Sequence, residues 1–194
     1  MKTPGRAIVL VGTSGAGKSS TAEELQKILS DPFLVLGLDT FFGMLPHRWT
    51  SEGTEHAEGF SYLRDTDPQD SCPRLRIGYG AVGAQLLAGM RQAVQALLRE
   101  GNNVIIDEMP IDAGIVPAWR RDLQSFAVIW AYLTAPLPVL EARETERFPE
   151  RFRGLSRGHF DVCAPESFDL LIDSAELSPE ERARRIAAAL PSSR

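Results

Sequence analysis

Cysteine and lysine are both scarce in this chain. Its two cysteines, Cys72 and Cys163, stand far apart, with no CxxC spacing and no nearby pair of histidines. That excludes a zinc ribbon or a disulfide framework and leaves two free thiols as the expectation. No apolar run approaches the roughly 20 residues that span a bilayer. The N-terminal run AIVLV breaks at the glycines from 12 to 17, so no signal peptide is expected and the chain reads as cytoplasmic. Basic charge is not in excess either. The formal net charge is -5, so no broad basic surface points to nucleic acid or to an anionic membrane.

What is present suits one ordinary domain over 1–194: the 194 residues are 43% hydrophobic. Short apolar or β-branched runs alternate with helical stretches. Strands are expected at Ala7 to Val11, Phe33 to Leu38, Asn103 to Ile106, Ala127 to Leu133 and Phe168 to Ile172. Helical crossovers between them imply an α/β fold, a parallel sheet covered on both faces. Between strands two and three, Leu86, Leu87, Met90, Val94, Leu97 and Leu98 recur at three- and four-residue spacing, a stripe for core packing. The last helix opens on Ser178-Pro179-Glu180-Glu181, a capping box with proline at the first helical position. It is expected to run to about Leu190, closing the sheet without taking part in chemistry.

The stretch Gly12-Thr13-Ser14-Gly15-Ala16-Gly17-Lys18-Ser19 matches GxxxxGK[ST], with a strand before it and a helix after it. Glycines let the backbone wrap closely, successive N–H groups make an anion nest, and the helix N-terminus favours phosphate. Lys18 is expected to reach the β- and γ-phosphates of a bound triphosphate, Ser19 to ligate Mg2+, and Ser20 to join the nucleotide site. Only three lysines exist, so a chance match would arise roughly twice in a thousand chains of this composition.

Ligands of open parallel sheets bind at the carboxyl ends of the strands, where Asp39, Asp107 and Asp173 fall. Asp107, closing Val-Ile-Ile-Asp, has the form of an acid that holds magnesium through a water, and the adjacent Glu108 could share that duty. Asp39 is the candidate general base for an acceptor hydroxyl; a capping aspartate is the bland alternative. Asp173, followed by Ser174, reads as a turn residue.

Two segments stand outside this pattern. Residues 46–80 are polar, rich in Gly and Pro, and dotted with aromatics, a connection long enough to cover a substrate. Residues 141–160 carry Arg143, Arg147, Arg151, Arg153 and Arg157, an arginine-rich lid that would neutralise a transferring phosphoryl group and exclude water. No lysine follows Lys27, so no N/TKxD base-reading motif exists and a GTPase switch is excluded. Leu155-Ser-Arg-Gly is a poor substitute for the LSGGQ signature of a transport ATPase. A compact, triphosphate-dependent kinase with a covering lid remains.

SGAGKSS, PFLVLGLDTFFGMLP, VIIDE, WRRDLQSFAVIWAYL, LEARETERFPERF and FDLLIDS, in this order over most of the chain, resemble the chloramphenicol 3-O-phosphotransferase-like family. These are small antibiotic-modifying kinases of the adenylate-kinase-like P-loop class. The resemblance implies a three-layer P-loop kinase fold with sheet order 2-3-1-4-5, and ATP and Mg2+ as cofactors. It implies Asp39 as the base that activates the acceptor, with Arg143 and Arg147 as lid arginines around the nucleotide phosphates and adenine. Little of 47–80 matches the family beyond position and polarity, and an extra residue near Phe148-Pro149 leaves the role of Arg151 open.

The expected activity is therefore phosphoryl transfer from ATP to a hydroxyl of a small molecule, an antibiotic among the candidates. Trp49, Phe60, Tyr62 and Tyr79 would line an apolar acceptor pocket. A sugar-type metabolite is the second reading, with Arg48, Arg64, Arg74 and Arg76 supplying a basic pocket for its acid. The third is a non-catalytic nucleotide-binding module. A homo-oligomer is left open.

Overall fold

The computed structural model describes residues 3–162 and 168–190; Cys163 therefore lies outside the described residues. In chain order the elements are β1 (Arg6–Val11), α1 (Lys18–Ile28), β2 (Phe33–Gly37), α2 (Leu38–Phe42), β3 (Phe60–Thr66), β4 (Pro73–Tyr79) and α3 (Ala81–Arg99). Then follow β5 (Asn103–Glu108), α4 (Ile115–Leu123), β6 (Ala127–Thr134), α5 (Leu137–Arg147), α6 (Leu155–Gly158), β7 (Leu170–Asp173) and α7 (Pro179–Ala189).

Five strands form one parallel sheet in the order β2-β5-β1-β6-β7. Counted among themselves, these strands stand in the expected order 2-3-1-4-5; β3 and β4 only shift the labels.

Period-two alternation divides the sheet's two faces. In β1, Ala7, Val9 and Val11 pack toward α3 and α4, among Met90, Val94 and Trp119. Ile8 and Leu10 pack on the other side with Leu25 of α1, Leu140 of α5 and Ile186 of α7. A parallel sheet buried on both faces needs both sets apolar, which is why AIVLV shows no polar alternation. The stripe on α3 is core, as its spacing predicts: Leu87, Met90, Val94 and Leu98 are buried and Leu86 and Leu97 pack against them. Each such burial is worth about 1.5–3 kcal/mol. The capping box of α7 is formed, with Ser178 accepting from the Glu181 N–H.

Two expectations are corrected. The second strand ends at Gly37, so Leu38 and Asp39 open the short helix α2 instead of closing a strand. Residues 46–80 are not irregular throughout, since β3 and β4 pair as an antiparallel hairpin with Phe60 opposite Tyr79, Tyr62 opposite Ile77 and Arg64 opposite Leu75. Among the described residues, no helix is long and apolar enough to cross a membrane.

Candidate active site

The loop between β1 and α1 bends through two left-handed glycines, Gly15 (φ 74°) and Gly17 (φ 84°), a region that strains any residue with a Cβ. Lys18 is buried behind it. Its Nζ donates to the Thr13 carbonyl at 3.1 Å and lies 3.7 Å from Asp107 Oδ1. The Ser19 hydroxyl donates to Asp107 Oδ2 at 2.7 Å.

Strand parity explains this pairing. Val104 and Ile106 face α3 and Ile105 faces α1, so the next residue, Asp107, turns toward α1 and the loop. Glu108 must then turn the other way. It is 1% exposed and accepts a hydrogen bond from the Trp119 indole N–H at 2.5 Å. Burial pushes its carboxyl up to about 7, against the opposing pull of that hydrogen bond and of Lys18. The expectation that Glu108 shares the magnesium duty is thus corrected: the two acids look to opposite faces of the sheet.

A cavity of about 440 Å³ opens beside the loop. Ser14, Gly15, Lys18, Ser19, Asp107 and Asp39 line its polar end, while Val35, Leu38, Tyr62, Ile77, Met109 and Phe152 supply apolar surface. Asp39 is exposed, and its carboxylate has no side-chain hydrogen bond or ion pair among the described residues. Of the four aromatics expected at the acceptor pocket, only Tyr62 lines the cavity. Phe60 is 1% exposed in the core, Tyr79 donates its hydroxyl to Asp112, and the Trp49 indole donates to Glu55.

The lid arginines separate by task. Arg147 lines the cavity. Arg151 turns outward to Glu52 at 3.2 Å. Arg143 reaches under the loop, donating to the Gly15 carbonyl at 3.1 Å and to Ser174 Oγ and O at 2.9 and 2.8 Å. Arg157 ties α6 to Glu141 and to Asp67 and Asp70 at the hairpin's tip.

Sequence reasoning missed Glu144. This buried carboxylate accepts from the Gly154 and Ser156 N–H groups, both at 2.5 Å, and from the Ser156 hydroxyl at 2.6 Å. Thr13 of the phosphate loop in turn donates to the Ser156 carbonyl at 2.8 Å, so the lid turn is clamped directly onto the loop. Gly158 lies so close to β4 that an added Cβ would run into the Leu75 carbonyl. His159 stands beside it. Its Nε2 accepts from the Ile77 N–H at 3.2 Å, and burial holds its pKa below the ordinary histidine value.

Hard oxygen donors from a serine hydroxyl and one carboxylate suit magnesium, which keeps most of its shell as water and phosphate. Among the described residues no group of three or more His, Cys, Asp or Glu could hold an ion by itself.

A strand, a left-handed glycine loop, a helix that starts at lysine and serine, and an arginine-bearing lid define the P-loop kinase fold. The chain belongs to the chloramphenicol phosphotransferase-like protein family, which matches residues 5–191. No curated protein sequence matches it significantly. Among solved structures, the APS kinase of Mycobacterium tuberculosis, in complex with AMPPNP and APS, is similar with TM-score 0.66 and 18% identity, over 96% of this chain and 98% of that one. The Deinococcus radiodurans tunicamycin resistance protein is similar with TM-score 0.65 and 22% identity, over 96% and 97%. A gluconokinase from Sinorhizobium meliloti gives 0.60 and 18%, over 97% and 92%. At these identities the likeness is one of fold.

Proposed function

We propose that this protein transfers the γ-phosphoryl group of ATP to a hydroxyl of a small, uncharged, apolar-faced molecule. The observation that carries the reading is one cavity with two chemistries: Lys18, Ser19 and Asp107 at the phosphate end, an unpartnered Asp39 at its edge, and an apolar wall opposite. Lys18 and the loop N–H groups bind the triphosphate. Ser19 and Asp107 would hold magnesium, which supplies positive charge against the phosphates when bound. Asp39 accepts the proton of the acceptor hydroxyl as its oxygen bonds to the γ-phosphorus. The bond from that phosphorus to the bridging oxygen breaks, and ADP leaves. Arg147 faces the same space and stabilises charge on the moving phosphoryl group, while the lid excludes water that would otherwise take it.

The anionic-metabolite reading loses its basic pocket. Arg74 and Arg76 both bind Asp65, Arg64 donates to the Arg151 carbonyl, and Arg48 stacks on Trp49. None of the four lines the cavity. The family's name and the tunicamycin resistance protein among its structural neighbours support an antibiotic alcohol as acceptor. A reaction that consumes ATP suits a cytoplasmic setting.

The test is to incubate the protein with ATP, magnesium and a mixed pool of hydroxylated antibiotics and neutral and anionic metabolites, then read phosphate incorporation by mass spectrometry. A gain of one phosphoryl group on an apolar alcohol supports the proposal. Incorporation only into anionic sugars would overturn the acceptor class, and nucleotide binding with no transfer to any alcohol would favour the non-catalytic module.

A further inference from the structure

The final helix was expected to close the sheet and do nothing else, yet its Arg182 is 3% exposed. Its guanidinium lies beneath the start of α1. Nη2 donates to Ser20 Oγ at 3.2 Å, Nη1 to the Ser174 carbonyl at 3.4 Å, and a Cβ on Gly17 would fall 2.8 Å from Nη1. Nε is buried with no hydrogen-bond partner among the described residues. Among the described residues no carboxylate forms an ion pair with it, and the charged group acting on it is a second cation, Arg143. Arg143 converges on the same Ser174 carbonyl and likewise has no acidic partner among the described residues.

Two arginines facing each other without an anion are unfavourable as architecture. A buried charge is tolerated when paired, and arginine does not escape by losing its proton. Neutral hydrogen bonds to Ser20 and Ser174 do not account for it, since an amide would make them without the charge. The position supplies an account. Lys18 and Ser19 line the cavity and would take the terminal phosphates, whereas Gly17, Ser20 and Ser174 do not line it. A triphosphate threaded along the loop brings its third phosphate there. The Ser20 hydroxyl donates to the Gly17 carbonyl at 3.0 Å and accepts from Arg182, so it holds the guanidinium at the loop and leaves the arginine as the donor with charge to offer.

We propose that Arg182 is a nucleotide-binding residue whose uncompensated charge is answered by the α-phosphate, with Arg143 on the same stretch of ligand. The inference rests on the nucleotide-binding reading above and adds to it a residue outside the phosphate loop and the lid.

The test compares wild-type protein with R182Q and R182K, titrated calorimetrically with ATP, ADP, AMP and adenosine, and melted with and without ATP. R182Q is expected to weaken ATP, ADP and AMP alike by about 10-fold or more, and to leave adenosine unchanged. Its melting temperature without nucleotide is expected to hold or rise, while the ATP-induced increase shrinks. R182K keeps the charge but loses the forked donors, and is expected to bind ATP, ADP and AMP more weakly than wild type and more tightly than R182Q. Unchanged nucleotide affinity in R182Q with a lower unliganded melting temperature would overturn the proposal and make Arg182 a structural pin. Loss for ATP and ADP but not AMP would overturn the α-phosphate assignment. If R182Q does not fold, R182K decides: nucleotide affinity unchanged from wild type together with a lower unliganded melting temperature counts against the proposal. Wild-type protein that binds none of the nucleotides would instead overturn the reading on which the inference stands.

Discussion

The Ser19 hydroxyl donates to the Asp107 carboxylate across 2.7 Å, joining the first turn of α1 to the end of β5. Two hard oxygens that near each other, with Lys18 3.7 Å from the same carboxylate, form a compact polar corner at the mouth of the loop. If Asp107 holds magnesium through a water, D107N keeps the geometry but removes the charge. Apparent magnesium affinity is then expected to fall on the order of 10–100-fold. A magnesium titration of transfer rate checks this, and an unchanged half-saturation point would remove Asp107 from the metal site.

Unlike Asp107, Asp39 has no side-chain hydrogen bond or ion pair among the described residues. A general base should be free to take a proton, and among the described residues no side chain bonds to its carboxylate. D39N is expected to bind ATP as wild type does while transfer falls by roughly 10²–10⁴-fold. Calorimetry with ATP, run beside the transfer assay, separates the two, and retained transfer would sink the assignment.

Much of this corner was legible in the sequence because it is local. GxxxxGK[ST] states its own backbone, and Val-Ile-Ile-Asp names the strand end. Period-two parity even separates Asp107 from Glu108, a consequence the adjacency of the two acids obscured. The hairpin was also signalled, since Leu75, Ile77 and Tyr79 alternate with Arg74, Arg76 and Gly78, but the density of Gly, Pro and charge around them masked it. Glu144 and Arg182 had no such signal. Each sits in a helix of alternating charges that reads as a solvated face, and only tertiary contact with 154–156, or with Ser20 and Ser174, reveals that it is buried.

Glu144 receives three donors and has no spare oxygen. E144Q turns one acceptor into a donor facing N–H groups, leaving buried donors unpaired at about 1–3 kcal/mol. For a domain of this size that is roughly 2–12 °C in melting temperature. Because the same turn rests on Thr13, futile ATP hydrolysis in the absence of acceptor is expected to rise. Thermal melts and phosphate release without acceptor measure the two effects, and a variant that melts like wild type would show that the clamp contributes nothing.

His159 supplies a pH dependence whose sign follows from its environment. Burial lowers its pKa, Arg76 and Lys18 add to the lowering, and the Leu155 carbonyl and Glu144 oppose it. The folded protein therefore holds the ring neutral where the unfolded chain, at about 6.5, begins to bind a proton. The stability contributed is complete above that value and is lost as pH falls from it toward the folded pKa. Protonation would also abolish the acceptor of the Ile77 N–H. Denaturant melts between pH 7.5 and 5 are expected to decline less steeply in H159Q than in wild type; identical slopes would exclude the histidine.

If the apolar side of the cavity receives the acceptor, the hairpin's two faces divide sharply. Tyr62 and Phe152 meet edge-on at 5.7 Å and both line the cavity, while Arg74 and Arg76 bind Asp65 on the opposite face of the hairpin. An aromatic ring removed from an apolar contact costs about 1.5–3 kcal/mol, which corresponds to roughly 10–150-fold in affinity. Y62A and F152A are therefore expected to raise the acceptor KM within that range and leave the ATP KM within about twofold. R74A and R76A are expected to leave both unchanged, because an arginine already paired on the far face has nothing to offer an uncharged alcohol. Steady-state kinetics with the acceptor identified from the pool decides it. A rise in acceptor KM for the arginine variants and not for the aromatic ones would mean that the acceptor carries an acid and approaches from the hairpin's outer face.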